Sequence, residues 1–293
     1  MIANQKIRTF VSWTIYPFSW LILLAVYFGA ENGYYKLALT PTILGGFLIV
    51  FYVICEQLVP YEAKWQMTWR SFLSDVKYLV STSAFSAIFG AAMGYFTISV
   101  SSNNNGIATH WPFLVQLIAC ILIYDAIGYT THRAMHEFPG AFGKFLWKVH
   151  AAHHLPPKVY IMMHAVFHPL NVLNSNLLVM TLPIWLMGYD PHVVTFFILI
   201  NSLNGLISHF NVDVRLGWLN YVMVATELHR YHHSADIDES KNYGSNVPFY
   251  DLLFGTFVYR PGVPPKNLGV APEAGYPDYG DYAKVLALPF TKD

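Results

Sequence analysis

Eight of the thirteen histidines in this 293-residue chain fall into three short sets: His132-x-x-x-His136, His150-x-x-His153-His154 and His229-x-x-His232-His233. A helix brings positions i, i+3 and i+4 onto one face, and it fans an adjacent pair apart by about 100°. Each His-His step can therefore address two neighbouring centres. Neutral imidazole is a ligand for zinc, iron, copper and nickel, so the spacing predicts a site for two metal ions. His209, alone in LISHFNV, is placed to join as a ninth ligand. His168, in front of Pro169, is a candidate tenth ligand, a supporting donor or a packing residue; His164 is a weaker candidate of the same kind. His110 and His192 fall toward the opposite end of the expected spans. A lone histidine is ordinarily a surface or hydrogen-bonded core residue, and it is the joint spacing that points to metal.

The ligand count bears on which metal. A zinc hydrolase needs three protein ligands and an open position, far fewer than nine. Two six-coordinate irons can absorb nine or ten nitrogens and still leave room for O2, which points to redox chemistry. Asp125 lies seven residues before His132, on nearly the same helical stripe and inside an apolar run. A carboxylate at that depth needs a partner, and the expected one is the free ring N–H of a ligating histidine. Candidate substrate contacts are the aromatics Trp147, Tyr160, Phe167, Tyr231 and Phe249. The chain has no Gly-x-Ser-x-Gly elbow, Walker loop, dinucleotide fingerprint or Cys-x-x-Cys-His motif, so electrons are expected from an external donor.

The elements that carry these residues read as membrane helices. Apolar side chains make up 55% of the chain and charged ones 12%, too few charges for an ordinary soluble surface. Uncharged runs predict spans at about 9–30, 37–56, 78–100 and 111–131. Lys6, Arg8, Lys64, Arg70, Lys77, Arg133, Lys144, Lys148 and Lys158 fall on one side of these spans and only Lys36 on the other, which places the histidine sets on the cytoplasmic face. Two further apolar segments, about 170–187 and 191–209, flank the turn MGYDPH and are expected as a partly inserted hairpin. The metal-binding cap is expected over about 132–168 and 209–260, and the Pro/Gly-rich tail 261–293 as a lid, all within one domain, 1–293. Seventeen basic and seventeen acidic residues cancel, so no field favours a nucleic-acid partner. Cys55 and Cys120 sit in apolar runs and make no ligand pair or disulfide framework.

Taken in order among membrane spans, the three sets resemble the fatty acid hydroxylase and sterol desaturase superfamily, from about Tyr124 to Gly255. Its histidine boxes match the three sets here, its lone histidine matches His209-Phe210-Asn211, and its His-Pro step matches His168-Pro169. NYGSNVPFYDLLFGTF, with Asn246, Asp251 and Gly255, is similar to its post-box region. The resemblance implies an all-α integral membrane enzyme with a four-helix stem and a cytoplasmic histidine-rich cap. Two non-haem irons would act with O2 on a lipid, fed by a cytochrome b5, a ferredoxin or a reductase. Glu227, Asn211 and Asp251 are then expected to support the ligands. The membrane would be the inner membrane of a bacterium or the endoplasmic reticulum of a eukaryote. Hydroxylation of an unactivated C–H bond is the leading expectation and desaturation the alternative; a zinc-binding hydrolase or a non-catalytic membrane protein is the rival from another class.

Overall fold

The computed structural model describes residues 4–101, 106–271 and 275–291, with the backbone alone for 90–101. It is all-helical, and among the described residues the only β pairing is a single bridge between Ser234 and Leu268. Residues 102–105, in the connection between the third and fourth expected spans, fall outside the described residues.

Helix α1, Gln5–Glu31, starts where the Asn4 side chain accepts the Ile7 N–H, satisfying one of the amides a helix start leaves open. It buries Ser12, Ile15, Tyr16, Ser19, Leu23 and Tyr27, a stripe at three- and four-residue spacing. Its other face exposes Phe10, Trp13, Phe18, Leu21 and Phe28. A helix as apolar outside as inside belongs in lipid. Helix α2, Thr40–Leu58, has Pro41 in its first turn and buries Thr40, Leu44, Leu48, Tyr52 and Glu56. The Tyr52 hydroxyl donates to Ser19 Oγ at 2.7 Å, so the two spans share a buried polar contact. Helix α3, Trp69–Ser101, is opened by a reciprocal pair of bonds between Thr68 and Ser71. Helices α4, Phe113–Glu137, and α5, Gly140–His154, are separated by Phe138 and Pro139, because proline cannot continue the first helix.

The hairpin expected over about 170–187 and 191–209 forms, and its turn lies at the end of the stem away from the histidine sets. It is built from α6, Pro169–Asn174, a π-helical stretch Ser175–Thr181, and α7, Leu182–Met187, ending at Gly188 in the left-handed region (φ 64°). A side chain on Gly188 would meet the Gly106 backbone at 2.8 Å, so the close approach there requires glycine. Helix α8, Pro191–Ser208, returns, its first turn capped by the Asp190 carboxylate. At the turn, the Asp190 N–H donates to Gln116 Oε1 near the start of α4, and His192 bonds Glu31 at the end of α1. The turn therefore reaches the far ends of two full-length helices. Among the described residues, five helical segments are long and apolar enough to cross a membrane: Gln5–Glu31, Leu37–Leu58, Phe113–Glu137, Pro169–Met187 and Pro191–Ser208. Half of α8 is buried, against a third or less of the apolar stretch in each of the others, so α8 is the central post.

The opposite end carries the cap. The Arg215 N–H donates to Ser12 O, Arg8 to Pro60 O, and the Tyr61 N–H to Asn211 O, so the start of α1, the α2–α3 connection and the segment after α8 lie together. Three short helices follow: α9, Thr226–His232, α10, Phe249–Phe254, and α11, Tyr282–Ala287. The tail straps the cap: the Gly269 N–H donates to His233 O, and Lys148 Nζ donates to Thr291 O. His168 belongs to this scaffold and not to the metal set. Its Nδ1 accepts the Leu170 N–H as the cap of α6, and its Nε2 faces Leu286 O at 3.1 Å, so both ring nitrogens are occupied.

Candidate metal centre

Four elements deliver nine imidazoles to one place. The last turns of α4 bring His132 and His136, the last two turns of α5 bring His150, His153 and His154, and α9 with its C-cap brings His229, His232 and His233. His209 is the C-cap of α8. The rings fall into two groups. His132, His136, His150, His154 and His232 have ligand atoms within 4.8 Å of one another, as do His153, His209, His229 and His233. The adjacent pairs divide between the groups, as a rotation of about 100° per residue requires: His154 and His232 serve the first, His153 and His233 the second.

The hydrogen bonds fix which nitrogen faces inward. His132 Nδ1 lies 2.9 Å from Tyr243 O, His153 Nδ1 3.1 Å from Val166 O, His209 Nδ1 3.0 Å from Gly205 O, and His232 Nδ1 2.9 Å from Lys241 O. A carbonyl oxygen only accepts, so each Nδ1 carries the proton and each Nε2 of a neutral ring presents a bare lone pair. His150 Nδ1 donates in the same way to Asn171 Oδ1 at 2.8 Å. These Nε2 atoms then face each other: His132 and His150 at 3.0 Å, His150 and His154 at 3.1 Å, His153 and His209 at 3.0 Å, His209 and His229 at 2.9 Å. For His132 with His150 and for His153 with His209, two lone pairs meet and no proton is available between them. A cation resolves that repulsion. Two ligand atoms at right angles on a metal, each about 2.1 Å away, stand about 3.0 Å apart, which is the spacing observed. His136 Nε2 and His232 Nε2 are buried without a hydrogen-bond partner, as ligand atoms would be.

Burial keeps the rings neutral. It pushes His150 and His209 down to about 3, with neighbouring imidazoles adding to the shift. His153, His154, His229, His232 and His233 are held well below the usual histidine value, again first by burial and then by each other. Seated in this way, the imidazoles are ready to coordinate at neutral pH without first losing protons. Among the described residues no carboxylate joins either group.

The support of the ligands differs from expectation. Asp125 bonds no histidine: its carboxylate accepts from the Asn246 N–H and Nδ2 at 3.0 Å and from the Val247 N–H at 2.6 Å. It clamps the post-box loop onto α4, because backbone amides buried there need an acceptor more than a ring does. Asp251 acts one peptide away, accepting the Tyr243 and Gly244 N–H groups at 2.8 Å and so holding the loop whose Tyr243 carbonyl receives His132. Asn211 pairs with the Glu62 backbone, and Glu227 accepts from Leu216 N–H, Asn220 and Tyr259; neither reaches a ligand. The support that sequence reasoning missed is Asn171 and four backbone carbonyls. Asn171, two residues after Pro169, could have been sought as the amide facing α5, whereas a carbonyl carries no sequence signal.

A cavity of about 310 Å³ opens onto both groups, reaching His132, His150, His153, His209 and His229 between α4, α8 and the π-helical stretch. Phe167 lines it and stacks on His153 at 4.2 Å. The other expected substrate contacts lie elsewhere. Trp147 borders a second cavity of about 320 Å³ beside His136 and His154, with its Nε1–H on the Tyr276 hydroxyl. Tyr160 is core, its hydroxyl donating to Asp75; Tyr231 donates to the Val263 carbonyl; Phe249 is on the surface of α10, 49% exposed. Aromatic type alone did not separate cavity wall from scaffold. His164 lines the first cavity, with its Nδ1 3.3 Å from His209 Nδ1 and outside both ligand groups.

Residues 117–256, which hold all nine rings, match the fatty acid hydroxylase family. The ornithine lipid hydroxylase OlsE of Rhizobium tropici is 26% identical over 279 residues, spanning 92% of this chain and 81% of that protein. Family match and relative together make the chain similar to the fatty acid hydroxylase superfamily. Further relatives are similar over about half of each chain. The very-long-chain aldehyde decarbonylase GL1-11 of Oryza sativa is 28% identical over 153 residues, covering 50% of this chain and 54% of its own. Methylsterol monooxygenase 1 of Danio rerio is 28% identical over 154 residues, covering 50% and 48%. No solved structure matches the chain closely enough to count as a relative. A lipid-modifying oxidoreductase of the membrane follows at the level of the superfamily.

Proposed function

We propose that this protein is an O2-dependent lipid hydroxylase whose two histidine groups each hold one iron. The observation that carries the reading is the meeting of bare Nε2 lone pairs at 3.0 Å in both groups, an arrangement that asks for two cations side by side. The five rings of the first group and the four of the second leave positions for a small ligand if each ion is six-coordinate. Iron suits imidazole and adds the one-electron chemistry with O2 that zinc lacks. When bound, the pair would supply the oxidising power to break an unactivated C–H bond.

The chain's own part is placement. The Nδ1 bonds to Tyr243, Val166, Gly205 and Lys241 carbonyls lock ring orientation before any metal arrives. The cavity between α4, α8 and the π-helical stretch brings a substrate carbon to both groups, and Phe167 restricts its approach beside His153. Lipid-facing spans let the substrate enter from the bilayer. Electrons would come from a separate donor, a cytochrome b5, a ferredoxin or a reductase, on the cytoplasmic side where the basic residues gather. The relative that aligns along nearly the whole chain is named for hydroxylating an ornithine lipid, which supports hydroxylation of a membrane lipid over desaturation.

Lipid mass spectrometry of membranes with and without the protein, grown under 18O2, tests this. A lipid heavier by one labelled oxygen, dependent on the protein, is the expected result. A product formed without O2 would contradict it, and a product lighter by two hydrogens without label would favour desaturation.

A further inference from the structure

The cavity that reaches the two histidine groups has an unusual wall for a chamber at this depth. Ser175, Asn201, Ser202, Ser208 and Ser245 line it together with the imidazoles, and among the described residues no Asp, Glu, Lys or Arg does. Hydrocarbon against such a wall would leave a hydroxyl such as that of Ser208 without a partner, which is costly once it is buried. An ionised group set along this wall and away from the metal groups would have no counter-charge among the cavity's side chains, which is dearer still.

Ser208 gives the strongest single sign. It is 3% exposed, and its Oγ has no hydrogen-bond partner. Serines and threonines on α1 behave otherwise: Ser12, Thr14 and Ser19 turn back onto the carbonyls four residues earlier, at 2.7 to 2.9 Å. Ser208, in the last turn of a helix, has the same option and does not take it. A buried hydroxyl left open in a cavity wall is suited to a ligand. His164 adds a donor. The His209 Nδ1–H already points at Gly205 O, so His164 Nδ1 can meet it only as an acceptor. The proton of His164 is then on Nε2, which has no hydrogen-bond partner among the described residues.

We propose that the part of the substrate carried to the metal groups is an uncharged, hydrogen-bonding segment, an amide or similar carbonyl-bearing stretch next to the reacting carbon. A bare alkyl chain and an ionised headgroup are both poorer matches. An amide supplies an acceptor for Ser208 Oγ–H and His164 Nε2–H and a donor for the serine or asparagine oxygens. The volume of about 310 Å³ holds a segment of that size, with the rest of the lipid left in the bilayer. The proposal rests on this cavity being the substrate site of the hydroxylase reading.

The test is retention of matched sixteen-carbon probes by the full chain in nanodiscs without O2, read by native mass spectrometry. The probes are hexadecane, hexadecanoate and N-methylhexadecanamide. The amide is expected to be retained at least tenfold better than the other two. Ser208→Ala and Ser202→Ala should each lower its retention threefold or more while leaving hexadecane unchanged. Metal content equal to wild type certifies each variant's fold; should Ser208→Ala miss that mark, Ser202→Ala decides. Equal retention of hexadecane or hexadecanoate, no retention of any probe, or full amide retention by a folded variant would overturn the proposal. Because no turnover is involved, selective retention with no oxygen-dependent product would instead defeat the hydroxylase reading alone.

Discussion

At the scale of single residues, the nine rings divide the labour by position. His154→Ala removes a member of the first group and His153→Ala a member of the second, so each is expected to lose chiefly one metal ion, as metal analysis of the purified variants would show. Equal loss of both ions in each variant would argue against separate centres. Among the described residues, Asn171 is the one side chain other than a histidine that accepts from any of the nine rings, that of His150. Asn171→Leu keeps the volume and leaves that buried N–H open. Loss of such a partner lowers metal affinity about 10–100-fold, measurable by competition with a chelator, and unchanged affinity would remove Asn171 from the site. The histidines themselves were legible because ligand chemistry needs one residue type at helical spacing. Their support was not, because four of the five acceptors are peptide carbonyls. Asp125 misled for a related reason: its depth showed that it needed a partner, and a loop 121 residues away supplied amides for it.

At the scale of elements, the loop 242–247 is where the fold and the site meet. Asp125 on α4 and Asp251 on α10 grip it from two sides, and its Tyr243 carbonyl orients His132. Asp125→Ala would leave the buried Asn246 and Val247 amides unpaired, and a loss of about 1–3 kcal/mol is expected for such a stranded group. A fall in thermal midpoint, restored in part by Asp125→Asn, would be the signature; a midpoint equal to wild type would show the loop is held by other means. The hairpin of α6, α7 and α8 marks what periodicity could not give. Gly188 and Pro191 announced the turn, yet how far the pair reaches was decided by Gln116 and Glu31 at the far end, contacts between distant parts of the chain. The π-helical stretch was equally hidden, since no local sequence rule separates it from α-helix, although such widened turns gather at functional sites.

At the scale of the whole molecule, a membrane stem ends in a core of uncharged imidazoles, and that has a pH consequence. In the unfolded chain these rings protonate near 6.5, whereas in the folded protein burial holds them far lower, at about 3 for His150 and His209. Below about pH 6.5 the unfolded chain binds protons that the folded one refuses, so stability is complete above that value and declines as pH falls. Buried acids such as Asp251, whose carboxyl is pushed up, act the other way but are outnumbered by the rings. The thermal midpoint of metal-depleted protein should be level from pH 8 to 7 and drop between pH 6.5 and 5; a midpoint level to pH 5 would mean the rings are not buried as neutral bases. Composition made the membrane class plain, and the tail's role as a strap emerged only from long-range bonds such as Lys148 to Thr291. The central claim is two adjacent irons, one in each histidine group, and anomalous scattering from crystals of the purified protein at the iron edge addresses it most directly. Two peaks are expected, one among His132, His136, His150, His154 and His232, the other among His153, His209, His229 and His233. A single peak, or signal at the zinc edge alone, would contradict the account.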